Sequence, residues 1–129
     1  MFKVGDRVWW TKYKILCEVA DIKYSENGTP FEWIIDTPGF KGIRFDLFRI
    51  KEITQTADSM FEELGYEKEE DLKNDRIIYR WRDSLETIFS LKEKEMWLER
   101  IGDMSGEYIL EIKEHLAIHQ KLIELGWVE

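Results

Sequence analysis

Met60-Phe61-Glu62-Glu63-Leu64-Gly65-Tyr66 decides how the chain is read, because Leu122-Ile123-Glu124-Leu125-Gly126-Trp127 repeats it near the end. Both read as helix exits. A glycine after a short amphipathic run supplies the left-handed residue that ends a helix, and the aromatic beyond it folds back onto the residue three before the cap. The repeat predicts contacts of Tyr66 with Phe61 and of Trp127 with Leu122. Two helices closed alike therefore bracket whatever lies between residues 67 and 112.

The first helix is expected over 57–64, with Thr54 or Thr56 as its cap and Asp58 and Glu62 suiting its dipole. Phe61 and Leu64 form its apolar face, with Ala57 and Met60 above them. Glu67-Lys68-Glu69-Glu70-Asp71 reads as a solvated charge run. From Ile77 the period changes to two: Ile77, Tyr79 and Trp81 alternate with Ile78, Arg80 and Arg82, and the same alternation recurs through Thr87-Phe89-Leu91 and Met96-Leu98. This predicts three antiparallel strands with turns at Asp83-Ser84 and Lys92-Glu93-Lys94. Gly102 to Gly106 makes a loop. Residues 108–112 are either a fourth strand or the first turns of a helix that runs to Leu125 and buries Ile118, Leu122 and Leu125. The result is an α-β-β-β-α module with an antiparallel meander, over residues 54–129.

Ahead of it, residues 3–53 alternate strand and turn signals at short spacing, as a small all-β barrel does. Val8 and Trp10 fall on one face of the first strand and Trp9 on the other. Further strands are expected at 16–22, 31–36, 43–45 and 49–50. Asn27-Gly28 predicts a type I′ hairpin turn. Pro38-Gly39 ends the third strand, and Asp46-Leu47 makes a tight turn. Five short strands, opening on Gly5-Asp6-Arg7-Val8 and closing on Phe45-Asp46-Leu47-Phe48-Arg49-Ile50, resemble SH3-like barrels of the KOW and Tudor kind. Such barrels bind peptides, modified side chains or nucleic acid, so the resemblance implies a binding module. The fold class is thus α+β, with a five-stranded SH3-like barrel at 1–53 and an acidic α+β module at 54–129.

The 129 residues are 43% apolar and 14% aromatic, enough for a real core. No apolar run approaches the ~20 residues of a membrane-spanning helix. The single cysteine, Cys17, excludes an internal disulfide, and a cytoplasmic protein of a bacterial host is expected. The net charge of −8 is uneven: residues 1–55 carry nine Lys/Arg against eight Asp/Glu, and residues 56–129 carry ten against nineteen. A half at −9 repels a phosphate backbone, so direct nucleic-acid binding is not expected there. The charge serves solubility, or imitates nucleic acid before a basic partner.

The segment Ala57 to Tyr66, Ile77-Ile78-Tyr79 behind it, and Ala117-Ile118-His119-Gln120-Lys121 with the closing Glu124-Leu125-Gly126-Trp127 resemble a family of small proteins from phages and prophages of Gram-positive bacteria. The resemblance covers somewhat over half the chain. It implies origin in a mobile element and a fold, and no activity.

Among residues able to carry chemistry, His115 and His119 stand four apart on the last helix and place two imidazoles on one face, joined by Glu111 if the helix starts early. Two ligands do not make a site, and no metal or cofactor is expected. Asp103 with Glu111-Ile112-Lys113 faintly matches the carboxylate–lysine metal sites of nucleases. Cys17, inside a strand and without charged neighbours, reads as a small core residue. The reading is therefore a non-catalytic phage or prophage accessory protein that binds a protein partner, with Trp9, Tyr13, Trp33 and Phe40 as an aromatic patch. Glu67, Glu69, Glu70, Asp71 and Asp75 form the second, acidic surface. The alternatives are an acidic mimic that inhibits a host nucleic-acid-binding defence enzyme, such as a CRISPR or restriction nuclease, and a metal-dependent nuclease. Exposed aromatics equally suit a homodimer seam.

Overall fold

The computed structural model describes residues 2–82, 84–100 and 111–128. It is an α+β chain in two compact units, 1–56 and 57–129.

In the first unit, β1 (Arg7–Trp10), β2 (Ile15–Tyr24), β3 (Pro30–Asp36), β4 (Ile43–Asp46) and β5 (Ile53–Gln55) make one antiparallel sheet in the order β4-β3-β2-β1-β5. The sheet curls into a half-barrel. Val8, Trp10, Cys17, Val19, Ile22, Trp33, Ile35, Phe45 and Ile53 fill its concave side. Cys17, Val19 and Ile22 all face inward although their spacing breaks strict alternation. A bulge between Val19 and Asp21 adds the residue that restores the phase and bends the strand.

Two local expectations change. In the β2–β3 connection only Gly28 has a positive φ, +82°, whereas a type I′ turn needs two such residues. Gly28 N donates to Ser25 O at 3.0 Å, which closes a longer loop with glycine at its left-handed position. At the end of the unit, residues 50–52 form a 3₁₀ turn instead of strand, and the last strand moves to Ile53–Gln55. Thr54 and Gln55 pair with Trp9 and Val8, so the expected polar linker is a sheet edge.

In the second unit, β6 (Tyr66–Asp71), β7 (Arg76–Trp81), β8 (Leu85–Ser90) and β9 (Glu95–Arg100) form an antiparallel meander in sequence order. Among the described residues the meander has four strands, not three: the charge run expected to be solvated coil is β6, paired residue for residue with β7. Helices α1 (Ala57–Glu63) and α2 (Ile112–Glu124) cover one face of the meander. Their core is Ala57, Phe61, Tyr66, Tyr79, Phe89 and Ala117, with Met60, Leu64, Ile118, Leu122, Leu125 and Trp127 around it.

The helix exits are as predicted. Gly65 and Gly126 have φ of +90° and +75°. Gly126 N donates to Ile123 O and Trp127 N to Leu122 O, both at 2.9 Å, the paired bonds that satisfy the last carbonyls of α2. The Phe61 and Tyr66 rings meet edge to face at 5.2 Å. Residue 111 is the cap of α2, with a reciprocal Glu111–Glu114 capping box, so Ile112 is helical; the rest of the 108–112 segment, Asp83 and the 102–106 loop lie outside the described residues. The buried side of α2 is more polar than expected. Glu114, Gln120 and Lys121 are buried beside Ala117, while Ile118, Leu122 and Leu125 are only partly buried. Each of the three polar groups has a partner: Glu114 accepts from Tyr66 Oη, Gln120 donates to Glu124 at 3.1 Å, and Lys121 meets Asp58.

Candidate binding surfaces

The four aromatics expected to form one patch are separated. Trp33 has no exposed surface and belongs to the core of the half-barrel, so it leaves the patch. Period-two alternation explains this: Trp33 shares its face with Ile35 and pairs with Phe45 across the sheet. Trp9 is also buried, at 6% exposure, on the face opposite the core beside Leu16 and Thr54. Tyr13 and Phe40 are open, at 56% and 74%.

Tyr13 is the outer end of an aromatic row. Its ring stands edge-on to Trp10 at 4.5 Å, and Trp10 stands edge-on to Phe45 at 5.0 Å. The Arg49 guanidinium lies over Phe45 at 4.5 Å and over Trp10 at 5.7 Å, held by Glu52 at 3.1 Å and the Arg44 carbonyl at 3.2 Å. Phe40 sits in a turn closed by Thr37, whose hydroxyl accepts from Phe40 N at 3.0 Å.

Further exposed apolar residues were missed in the sequence: Leu47 and Phe48, with Tyr24 and Phe31 beside the hairpin turn. The signal for the first pair was the aspartate ahead of them. One Asp46 carboxylate oxygen accepts from both Phe48 N and Arg49 N, at 2.9 and 3.0 Å, and fixes the turn that leaves Leu47 and Phe48 in solvent.

The five acids of the second surface do not converge either. Strand parity puts Glu67, Glu69 and Asp71 on the face of β6 opposite Tyr66, Glu70 on the Tyr66 face, and Asp75 in the β6–β7 turn at φ +55°. On the shared face arginines interleave with them: Glu67 lies opposite Arg80 and Asp71 opposite Arg76. Arg80 reaches Glu69 at 2.9 Å and Glu86 at 3.3 Å. Asp71 accepts from the Asn74 side chain and backbone, which holds its carboxyl below the usual range. Glu70 pairs with Lys68 at 3.4 Å.

On the helix side, a groove of about 400 Å³ runs between α1 and β6, lined by Asp58, Glu62 and Lys68 with the rings of Phe61, Tyr66 and Tyr79. Asp58 is its most connected group, meeting Lys68, Tyr79 and Lys121. Burial pushes the Asp58 carboxyl up, but hydrogen bonds from Lys68 and Tyr79, with the Lys121 charge, outweigh burial and hold it below the usual range. Burial lowers Lys121, whose ammonium lies 3.8 Å from Asp58 and 5.8 Å over the Tyr79 ring. Carboxylates beside aromatic rings suit an ammonium group, and Lys68, 2.8 Å from Asp58, already supplies one.

Of the other candidates, Glu111 is tied up in the capping box and Asp103 lies outside the described residues. Cys17 is buried in the core of the half-barrel, and desolvation pushes its thiol up. His115 and His119 are both exposed on α2. Among the described residues no helix is long and apolar enough to cross a membrane. Compared with protein-family models, with curated proteins and with solved structures, the chain matches none.

Proposed function

We propose that this chain is a non-catalytic accessory protein of phage or prophage origin that acts by protein–protein contact through an SH3-like barrel. The observation that carries the reading is the exposure of five aromatic side chains on the first unit: Tyr13, Tyr24, Phe31, Phe40 and Phe48, with Phe48 at 81%. Aromatic residues are enriched in the buried parts of interfaces, and a small domain gains nothing by wetting so many of them. Two of the backbones are held by side chains: Phe40 by Thr37, Phe48 by Asp46. A surface fixed before binding loses less entropy when it meets a partner. The SH3-like reading is supported by a five-stranded antiparallel sheet that curls over one core with its first strand between the second and the fifth. The phage origin rests on the sequence resemblance.

The acidic-decoy alternative is the weaker one. Nucleic-acid mimicry needs like charges in an uninterrupted row, and the acids of β6 alternate with Arg76 and Arg80 across the strand pair.

The test is a pull-down from a Gram-positive host lysate at low and high salt, with the tagged protein and with a Tyr13→Ser/Phe40→Ser/Phe48→Ser variant. A partner retained at high salt by the first and lost by the variant supports the aromatic surface. A partner captured only at low salt, and equally by the variant, would sink it and direct attention to the acids.

A further inference from the structure

Helix α2 turns an uncharged stripe outward. Ile112, His115, Leu116, His119 and Ile123 fall within about 100° of one another at 3.6 residues per turn, on the side opposite buried Ala117 and Lys121. Ile112 and Leu116 are 79% and 56% exposed, and both histidines are exposed. Residues 57–129 carry ten Lys/Arg and nineteen Asp/Glu, yet none of them lies in this stripe. Ile112, Leu116, His119 and Ile123 follow the 4-3-4 spacing of a helix-pairing seam, with His115 one step to the side.

The two imidazoles are one turn apart, the separation at which a helix offers both to a single ion. The third ligand that the sequence allowed, Glu111, is spent in the capping box with Glu114. Among the described residues no group of three His, Cys, Asp or Glu is assembled for a metal. Among the described residues one chain therefore supplies half a tetrahedron, and a second copy related by a two-fold axis supplies the other half from the same residues. The seam alone is about 17 Å long, too short to reach the ~1,000 Å² of a stable interface. A metal bond supplies what the apolar contact lacks.

We propose that α2 pairs with α2 of a second copy across one zinc-class divalent ion, held by His115 and His119 of both chains, with Ile112, Leu116 and Ile123 packing beside it. Four neutral nitrogen ligands suit zinc, which accepts tetrahedral imidazole at about 2.0–2.1 Å and needs no redox partner. The site uses none of the aromatic residues named for the first unit.

The test uses the untagged full chain in light scattering after gel filtration, with zinc and with EDTA. The expected result is a mass of 15.6 kDa in EDTA that doubles in zinc, at one bound zinc per two chains. His115→Ala and His119→Ala are each expected to stay monomeric in zinc, and Leu116→Glu to weaken the zinc-dependent dimer at least tenfold. These side chains are exposed, so circular dichroism should match the parent and separate loss of pairing from loss of fold. A mass that stays at 15.6 kDa in saturating zinc would overturn the proposal. So would a dimer that persists in EDTA, or a zinc dimer that survives His119→Ala.

Discussion

Gly126 and Asp58 show what single residues do here. Gly126 ends α2 at φ +75°, with nothing within 4 Å of where a Cβ would stand, so the cost of a side chain there is conformational and not steric. Gly126→Ala is expected to lower stability by about 1 kcal/mol, read from the urea midpoint, with Leu122 and Trp127 still in place. Asp58 joins α1, β6, β7 and α2 through Lys68, Tyr79 and Lys121. Its carboxyl is depressed in the folded chain. The stability it contributes is present above the unfolded value of about 4 and is lost as pH falls through the folded value. Asp58→Asn is expected to flatten the acid limb of a stability–pH profile. Lys121 has the opposite history: burial lowers it, so the folded chain disfavours its charged form. That penalty is felt below the folded value and disappears as pH rises toward the unfolded value of about 10.4. Lys121→Met is expected to hold or raise stability at pH 7 and to remove the rise that the parent shows as pH climbs toward the unfolded value of about 10.4. A fall of several degrees in its melting temperature at pH 7 would show that the pair with Asp58 outweighs the cost of burial.

Among the elements, β6 shows how context overrides local preference. Glu67-Lys68-Glu69-Glu70-Asp71 has low intrinsic strand tendency and no apolar alternation after Tyr66. It is a strand because β7 offers a full register and because Arg80 answers Glu69 across it. It is also an edge of the meander, where charge keeps unpaired backbone from templating another chain. Glu67→Val/Glu69→Val is expected to keep the fold but to self-associate, seen as concentration-dependent light scattering above that of the parent. The same competition shifted the end of the first sheet. Arg49 and Ile50 read as strand, but the Asp46 carboxylate captures Arg49 N and starts a turn, so the pairing with β1 waits until Ile53. The aromatic patch was legible only in part. Parity in Phe31-Glu32-Trp33-Ile34-Ile35 already sets Trp33 beside Ile35, whereas the burial of Trp9 has no local signal, because a strand's two faces look alike until something covers one.

At the scale of the molecule, each unit has a core drawn from its own residues. Fragment 1–56 is therefore expected to fold alone, with a cooperative thermal transition and a near-ultraviolet signal from Trp10 and Trp33. Domains of this size are marginal, so a midpoint below the parent's is expected. A fragment without a cooperative transition would mean that the barrel core needs residues beyond 56. The sequence by itself determined the α+β class, the glycine exits of both helices, the hairpin meander from Ile77 onward and the alternation along its strands. These depend on periods and on φ preferences, which act within a few residues. Tertiary structure decided that a charge run becomes an edge strand, that polar Glu114, Gln120 and Lys121 sit at the centre of a buried helix face, and that Tyr13, Phe40 and Phe48 stay open while Trp9 and Trp33 do not. These outcomes turn on partners far along the chain, such as Tyr66 for Glu114, Asp58 for Lys121 and Arg80 for Glu69. Burial and charge pairing are properties of what comes together in space, and no local pattern specifies them.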